Sequence, residues 1–168
     1  MTAKAGTWLL ILSSVGLLGG VARYGVPAVL VYGPSNSMPK GWYVRDFPGR
    51  DLRIGDLIVL ETPESLRPYM PPTLPQARVL KQVAALAGST VCWETDAMVI
   101  EQGSQHTRYA FHPAIGTRNQ PDGCHVLQSD EMVIVGVHER SFDSRYVGPV
   151  SRHLVQFRVW PLWTWEAE

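Results

Sequence analysis

Short apolar runs separated by proline, glycine and polar residues recur along most of this chain. The runs carry many β-branched and aromatic side chains, as strands do. They lie at residues 28–32, 41–44, 57–60, 77–86, 91–93, 97–100, 132–137 and 154–160. Many short strands separated by glycine and proline turns predict a mainly β domain.

Two of the predicted strands have patterns that describe their surroundings. Residues 57–60 show no polar alternation, which predicts a strand buried on both faces. In residues 77–86, a strand puts Val79, Lys81 and Val83 on one face, whereas a helix gives no apolar stripe. Lys81 would then be a lone polar group on an apolar surface, unless its amine snorkels to solvent.

Two stretches lack a strand pattern and are interpreted as loops. Residues 61–76 contain five prolines, which exclude a regular helix and an inner strand, so a surface loop is expected. The long polar stretch between residue 100 and Gly123 is interpreted in the same way.

The N-terminal segment is apolar and uncharged from residue 7 to residue 22. A helix over these sixteen residues reaches about 24 Å, and a helix continued to residue 31 would span a bilayer core of about 30 Å. The alternatives are a cleaved secretory signal ending at residues 20–22 and a buried core helix, which the internal glycines disfavour. We expect one transmembrane or signal helix with an entry strand over 1–31, and an exported domain over 32–168.

Composition narrows the classes of function. The chain has 168 residues, enough for one domain, and its 15 basic and 15 acidic residues create no global field that would attract nucleic acid. Its two cysteines, Cys92 and Cys124, form no CxxC pair, so zinc and thioredoxin-type redox sites have no support. They could form a disulfide in an oxidising compartment or remain two thiols in the cytosol.

Three tryptophans lie close together near the C-terminus, at Trp160, Trp163 and Trp165. Indole rings favour the headgroup layer of a membrane, so these residues could anchor the domain there. The alternative is that they pack in the core as part of a final strand.

Candidate chemistry begins in residues 34–43, where Ser35 and Ser37 lie two residues apart among prolines. On an extended segment one hydroxyl could attack a carbonyl while the other stabilises the oxyanion; the alternative is an ordinary proline and serine turn. None of the five histidines belongs to a catalytic motif, so a Ser-His-Asp triad is possible but unmarked. Lys81 is an alternative base, because burial on an apolar strand lowers a lysine pKa.

A carboxylate and a guanidinium also occur two residues apart, at Asp143 and Arg145. Facing the same way on an extended chain, they could hold a loop in place by a bidentate ion pair. The alternative is a surface salt bridge that stabilises the fold little.

Four blocks of this sequence, in this order, resemble the serine–lysine signal peptidase family. They occupy residues 34–38, 55–59, 79–88 and 141–148. The resemblance implies a signal-peptidase-like antiparallel β-sheet catalytic domain. One departure is Ala-Gly-Ser at residues 87–89, where the family usually has Pro-Gly-Asp.

The resemblance also implies a role for each matched residue. Ser37 would be the nucleophile, Lys81 its base, and Ser35 would form the oxyanion hole together with the Ser37 backbone N–H. Three residues would orient the lysine amine or form a supporting ion pair: Ser141, Asp143 and Arg145. This chemistry needs no metal and no cofactor.

Within the family, the chain resembles the TraF-type peptidases of conjugative transfer systems. Pro39 follows Met38 directly, and the final block reads Ser-Phe-Asp-Ser-Arg-Tyr-Val-Gly-Pro-Val. This resemblance implies a monomeric serine endopeptidase in the bacterial inner membrane, with its catalytic domain on the periplasmic side. Its partner would be a polypeptide, the pilin precursor, which some members also cyclise.

Three other interpretations stay open. One is a general type I signal peptidase that removes signal peptides from exported proteins. A self-cleaving repressor also uses serine and lysine, but its DNA-binding N-terminus is replaced here by an apolar segment. The third is a non-catalytic β-domain of the transfer machinery.

Overall fold

The computed structural model describes residues 29–46, 51–69, 78–115 and 122–166. Most of the predicted anchor or signal segment over 1–31 lies outside these ranges. Within them, no helix is long and apolar enough to cross a membrane. The domain boundary at residue 32 therefore stays a prediction.

Strands dominate the described residues and form two antiparallel sheets. The strands of the larger sheet are β1 (Leu30–Gly33), β2 (Lys40–Arg45), β3 (Leu57–Glu61), β4 (Arg78–Ala85), β9 (Glu131–Val135), β10 (Val150–Ser151) and β11 (Val155–Trp165). Those of the smaller sheet are β5 (Thr90–Trp93), β6 (Ala97–Gln102), β7 (Gln105–Ala110) and β8 (Gly123–Val126). The spatial order is β1-β2-β11-β3-β4-β9-β10 in the larger sheet and β7-β6-β5-β8 in the smaller one. The prediction of a mainly β, antiparallel domain is confirmed.

Short helical turns connect some of these strands. The 3-10 turns are Glu64–Tyr69, Pro113–Ile115 and Arg152–Leu154, and the one-turn α-helix α1 is Ser144–Val147. The first of them corrects the loop expected over 61–76. The Pro63 carbonyl accepts hydrogen bonds from the backbone N–H groups of Leu66 and Arg67. Pro68, which has no N–H, follows these two donors in the turn and so removes neither bond.

Three strands of the structure, β7, β8 and β10, have no counterpart among the predicted runs, and one predicted strand is longer than expected. Strand β7 lies in the polar stretch interpreted as loop, and most of its side chains are exposed, so no apolar alternation marks it. It forms because it pairs with the whole of β6 across a turn at Gly103, whose φ is 58°. Strand β11 continues past residue 160, and its register shifts between Pro161 and Trp163.

The tryptophans of β11 are exposed, so the core-packing alternative is wrong. Trp160 is 52% exposed, Trp163 71% and Trp165 43%. Trp163 lies opposite Trp42 of β2, which is also exposed.

The core lies on both faces of β9. Met132 and Ile134 pack in a cluster with residues of β3, including Ile58 and Leu60. Val133 and Val135, on the opposite face of β9, pack against β5 and β6 of the smaller sheet. Because β3 and β9 are buried on both faces, neither sequence alternates, as predicted for residues 57–60.

Candidate active site

The turn between β1 and β2 carries the two candidate hydroxyls. The Ser35 and Ser37 side-chain oxygens are 3.0 Å apart, so one hydroxyl donates to the other. The segment is a bend rather than the extended strand considered from the sequence, yet the bend keeps the two hydroxyls adjacent. The buried side chain of Met38 and a hydrogen bond from the Tyr43 hydroxyl to the Pro39 carbonyl fix its far end.

The turn also depends on a close approach between β2 and β11. Gly41 has a φ of 145°, and a Cβ at this position would lie 2.2 Å from the Trp163 carbonyl oxygen. A side chain there would therefore push the turn away from the sheet.

Lys81 lies in the middle of β4 and is only 4% exposed. Its amine donates a hydrogen bond of 2.7 Å to the Ser141 hydroxyl, so the snorkelling alternative is wrong. Burial lowers the pKa of Lys81 from 10.5 to about 8, although the nearby Asp143 carboxylate partly opposes the shift. At a pKa of about 8, roughly a tenth of the amine is neutral at pH 7.

Ser37 and Lys81 line the same cavity, which has a volume of about 650 Å³. Their side chains are not hydrogen-bonded to each other: the Ser37 hydroxyl pairs with Ser35, while the Lys81 amine pairs with Ser141. Direct proton transfer from Ser37 to Lys81 requires the serine hydroxyl to leave Ser35 and come within hydrogen-bonding reach of the amine.

The segment after β9 packs closely against the serine turn. The His138 backbone N–H donates to the Ser37 carbonyl over 3.4 Å. A Cβ at Gly136 would lie 2.1 Å from the Ser141 hydroxyl oxygen and 2.6 Å from the Ser37 carbonyl oxygen. Gly136 thus lets the serine turn and the Ser141 segment touch, a role that the sequence reasoning missed.

A buried ion pair supports the same segment. Asp143 is 0% exposed, and its two carboxylate oxygens each accept a 2.8 Å hydrogen bond from the Arg145 guanidinium. The carboxylate also accepts from the Gly136 backbone N–H over 2.8 Å, and the guanidinium donates to the Ser141 carbonyl over 3.0 Å. The surface salt-bridge alternative is therefore wrong. The geometry differs from the extended chain considered above, because Asp143 caps α1, which contains Arg145.

Ser144 is a further buried polar residue that the sequence reasoning missed. Its hydroxyl accepts from the Ile134 backbone N–H over 3.0 Å, and its carbonyl accepts from the Trp93 indole over 3.2 Å. It thereby joins α1 to β9 and to the smaller sheet. The sequence feature that could have indicated its burial is its position between Asp143 and Arg145 in the final block.

Cys92 and Cys124 form a disulfide between directly opposed positions of β5 and β8. Both strands belong to the smaller sheet, whereas Lys81 lies in the larger one. Among the residues that the structure describes, no cluster of histidine, cysteine, aspartate or glutamate is arranged to hold a metal ion.

Comparison with known proteins gives a family match over nearly the whole chain. A family model described as "Signal peptidase, peptidase S26" matches residues 6–163. A search of curated proteins gives no significant match. Among solved structures, a signal peptidase I from Enterococcus faecalis V583 is similar, at 19% sequence identity and a TM-score of 0.39, over 65% of this chain and 97% of the other. The family assignment rests on the sequence match.

Proposed function

The chain belongs to the peptidase S26 family of signal peptidases, and on that premise we propose that it is a membrane-associated serine endopeptidase with a Ser37–Lys81 dyad. The family implies a serine peptidase that acts on polypeptide precursors. The observation that carries the dyad is the buried Lys81 amine, held 2.7 Å from the Ser141 hydroxyl with a pKa of about 8. A lysine in this state can accept a proton near neutral pH.

The proposed reaction begins when the Ser37 side chain turns from Ser35 towards Lys81. The neutral amine takes the hydroxyl proton as the serine oxygen attacks the scissile carbonyl. The freed Ser35 hydroxyl and the Ser37 backbone N–H donate to the oxyanion, and one such donor typically contributes about 2.7–4 kcal/mol. Lys81 then protonates the leaving amine, and an ester on Ser37 remains.

Three residues position the base rather than react. The Ser141 hydroxyl accepts from the Lys81 amine and so orients it. The Asp143–Arg145 ion pair holds the Ser141 backbone through the guanidinium contact with the Ser141 carbonyl. These contacts support the assignment of all three as positioning residues.

The finer proposal is that the substrate is the pilin precursor of a conjugative transfer system. The direct Met38–Pro39 sequence and the final block around Asp143 support a TraF-type enzyme. Water would release a linear product from the Ser37 ester, whereas the amino terminus of the same pilin would release a ring. The alternatives remain a general type I signal peptidase and a non-catalytic β-domain of the transfer machinery.

Exposed apolar side chains on adjacent strands support a location at the membrane surface. This aromatic patch consists of Val29, Leu30, Tyr32, Trp42, Trp160, Leu162, Trp163 and Trp165. Strands β1, β2 and β11 are neighbours in the sheet, so the patch is continuous with the edge that carries the serine turn. We place the domain as a monomer on the periplasmic side of the inner membrane, where a disulfide is also expected to persist.

Separate Ser37→Ala and Lys81→Ala variants of the full chain test the dyad. Each should abolish processing of a pilin precursor, whereas the matched controls Ser65→Ala and Lys40→Ala should process it like the parent. Normal processing by Ser37→Ala would refute the nucleophile assignment. The same assay with an ordinary secretory preprotein separates the two enzyme classes, and a product lighter by one water molecule identifies the ring.

A further inference from the structure

The cavity that holds the proposed dyad has an unusual charge balance. Three arginines, Arg45, Arg78 and Arg140, line it together with Lys81, and none of the described residues that line it is an aspartate or a glutamate. Most of the remaining lining is apolar. A signal-peptidase substrate with only small neutral side chains at the cleaved bond would leave these guanidinium groups without a role.

Arg45 of β2 and Arg78 of β4 lie beside an apolar surface on one face of the larger sheet, which forms the floor of the cavity. Val59 and Leu80 are directly opposed on β3 and β4, and Phe157 of β11 is opposed to Val59. Arg78 lies two residues from Leu80 on β4 and therefore on the same face. The Arg45 guanidinium lies 4.3 Å from the centre of the Phe157 ring, so a cation–π contact holds it over this floor.

No carboxylate of the described residues lies within 4 Å of these three guanidinium groups, although several carboxylates are near in the chain. Glu61 is opposed to Arg78, but its carboxylate accepts from the Gln156 amide over 3.1 Å. The Asp46 carboxylate is paired with Arg158, and the Glu139 carboxylate lies 3.4 Å from a ring nitrogen of His112. The positive charges of these arginines are therefore not neutralised by a carboxylate. Several positive charges around one cavity attract an anionic ligand.

We propose that this cavity selects a polypeptide with an aspartate or glutamate close to the cleaved bond, whose carboxylate is bound by Arg78 or Arg140. The inference rests on the proposed peptidase function, because it deepens the specificity of that site. Arg78 lies three residues from Lys81 along β4, about 10 Å at the rise of a strand. Three residues along a strand also put the two side chains on opposite faces of β4. An extended peptide running beside β4 alternates in the same way, so its side chain three residues from the cleaved bond would lie on the face of Arg78. Arg140 lines the same cavity and directly precedes Ser141, whose hydroxyl accepts from the Lys81 amine.

Matched peptides test the proposal on the full chain. Each peptide has alanines beside the cleaved bond and carries glutamate, glutamine or lysine three residues away. One series has this residue before the cleaved bond and a second series has it after the bond. In the series that is cleaved faster, the kcat/KM of the parent should be about tenfold higher for the glutamate peptide than for the glutamine peptide, as expected for one charge-assisted contact at a partly exposed site. The preference should shrink as salt increases.

Variants of Arg78 and Arg140 test whether these residues cause the preference for glutamate. In Arg78→Glu combined with Arg140→Gln, the glutamate preference should vanish and the lysine peptide should become the better substrate. The matched control is Arg53→Glu, an exposed arginine outside the cavity, which should keep the parent's order of peptides. Equal kcat/KM for all three peptides in the parent, or an unchanged preference in the double variant, would overturn the proposal.

A binding measurement separates this inference from the proposed catalytic function. Fluorescence anisotropy of the same labelled peptides with Ser37→Ala needs no turnover, and it should show tighter binding of the glutamate peptide that depends on Arg78 and Arg140. If Ser37→Ala still cleaves peptide at the parent's rate, the catalytic proposal fails, and anisotropy still decides the specificity. If Ser37→Ala is inactive and binds all three peptides equally, only the specificity proposal fails.

Discussion

Replacement of Lys81 by methionine should stabilise the fold while it removes the proposed base. Burial lowers the pKa of this amine from 10.5 to about 8, and each tenfold loss of proton affinity corresponds to about 1.36 kcal/mol. Keeping Lys81 buried therefore costs roughly 3 kcal/mol at pH 7. Methionine has similar length and no charge, but it leaves the Ser141 hydroxyl without its donor, which costs about 1 kcal/mol. The net gain in the free energy of unfolding is about 2 kcal/mol.

The gain should depend on pH in a defined direction. The unfolded chain keeps this lysine protonated up to about pH 10.5, whereas the folded chain releases the proton near pH 8. Between these values the unfolded state binds more protons, so the stability of the parent rises with pH and its penalty shrinks. At pH 10 the penalty is about 0.8 kcal/mol, which the lost hydrogen bond cancels. The stabilisation by methionine should then be close to zero.

Urea unfolding of the full chain in detergent, monitored by tryptophan fluorescence, measures both effects. The parent and Lys81→Met are compared at pH 7 and pH 10, with Lys40→Met as the control for a partly exposed lysine. A destabilised Lys81→Met protein at pH 7, or a gain of the same size at both pH values, would refute the assignment of a strongly desolvated amine.

Four further outcomes follow from the site and the disulfide. The kcat/KM of the parent should rise about tenfold from pH 7 to pH 9, because the neutral fraction of an amine with a pKa of about 8 rises by that factor. Gly136→Ala should lose activity and about 1–3 kcal/mol of stability, because its Cβ would overlap the Ser141 segment. Asp143→Asn should cost about 3–5 kcal/mol in urea unfolding, because it leaves a buried guanidinium without its counter-charge. The unreduced, unfolded protein should contain no free thiol, and the Cys92→Ser/Cys124→Ser double variant should lose about 3–4 kcal/mol, as expected for a bridge across 32 residues, while it keeps its activity.

Each of these outcomes has a clear contrary result. A flat pH profile would show that the base is not a group with a pKa near 8. Wild-type activity in Gly136→Ala would show that the serine turn and the Ser141 segment need not touch. An unfolding free energy of Asp143→Asn equal to that of the parent would contradict the burial of its ion pair. Two free thiols would mean that the cysteines are not bridged.

The strand pattern predicted the surroundings of Lys81 because alternation reports directly on which side chains share a face. It did so even though the strands that bury Lys81 are far away in the sequence. The neighbouring hydroxyls of Ser35 and Ser37 were also anticipated, although a bend rather than a strand brings them together. In both cases the pattern within one short segment was enough for the prediction.

The remaining features depend on contacts that a single strand does not reveal. Strand β7 is exposed and polar, and only its pairing with β6 makes it a strand. Gly136 looks like any glycine after an apolar run until the Ser37 carbonyl and the Ser141 hydroxyl are placed beside it. The burial of Asp143 likewise follows from packing between segments, which composition does not record.

The exposed hairpin of β6 and β7 offers a practical point of attachment for a label. A Cβ at Gly103, in its turn, would meet no atom within 4 Å, and the side chains of the following residues are exposed. A short epitope or fluorescent tag inserted beside Gly103 would therefore extend into solvent from the smaller sheet, whereas the aromatic patch belongs to the larger one. Such a tag would allow microscopy of the protein at its native abundance in living cells, with both chain ends left intact.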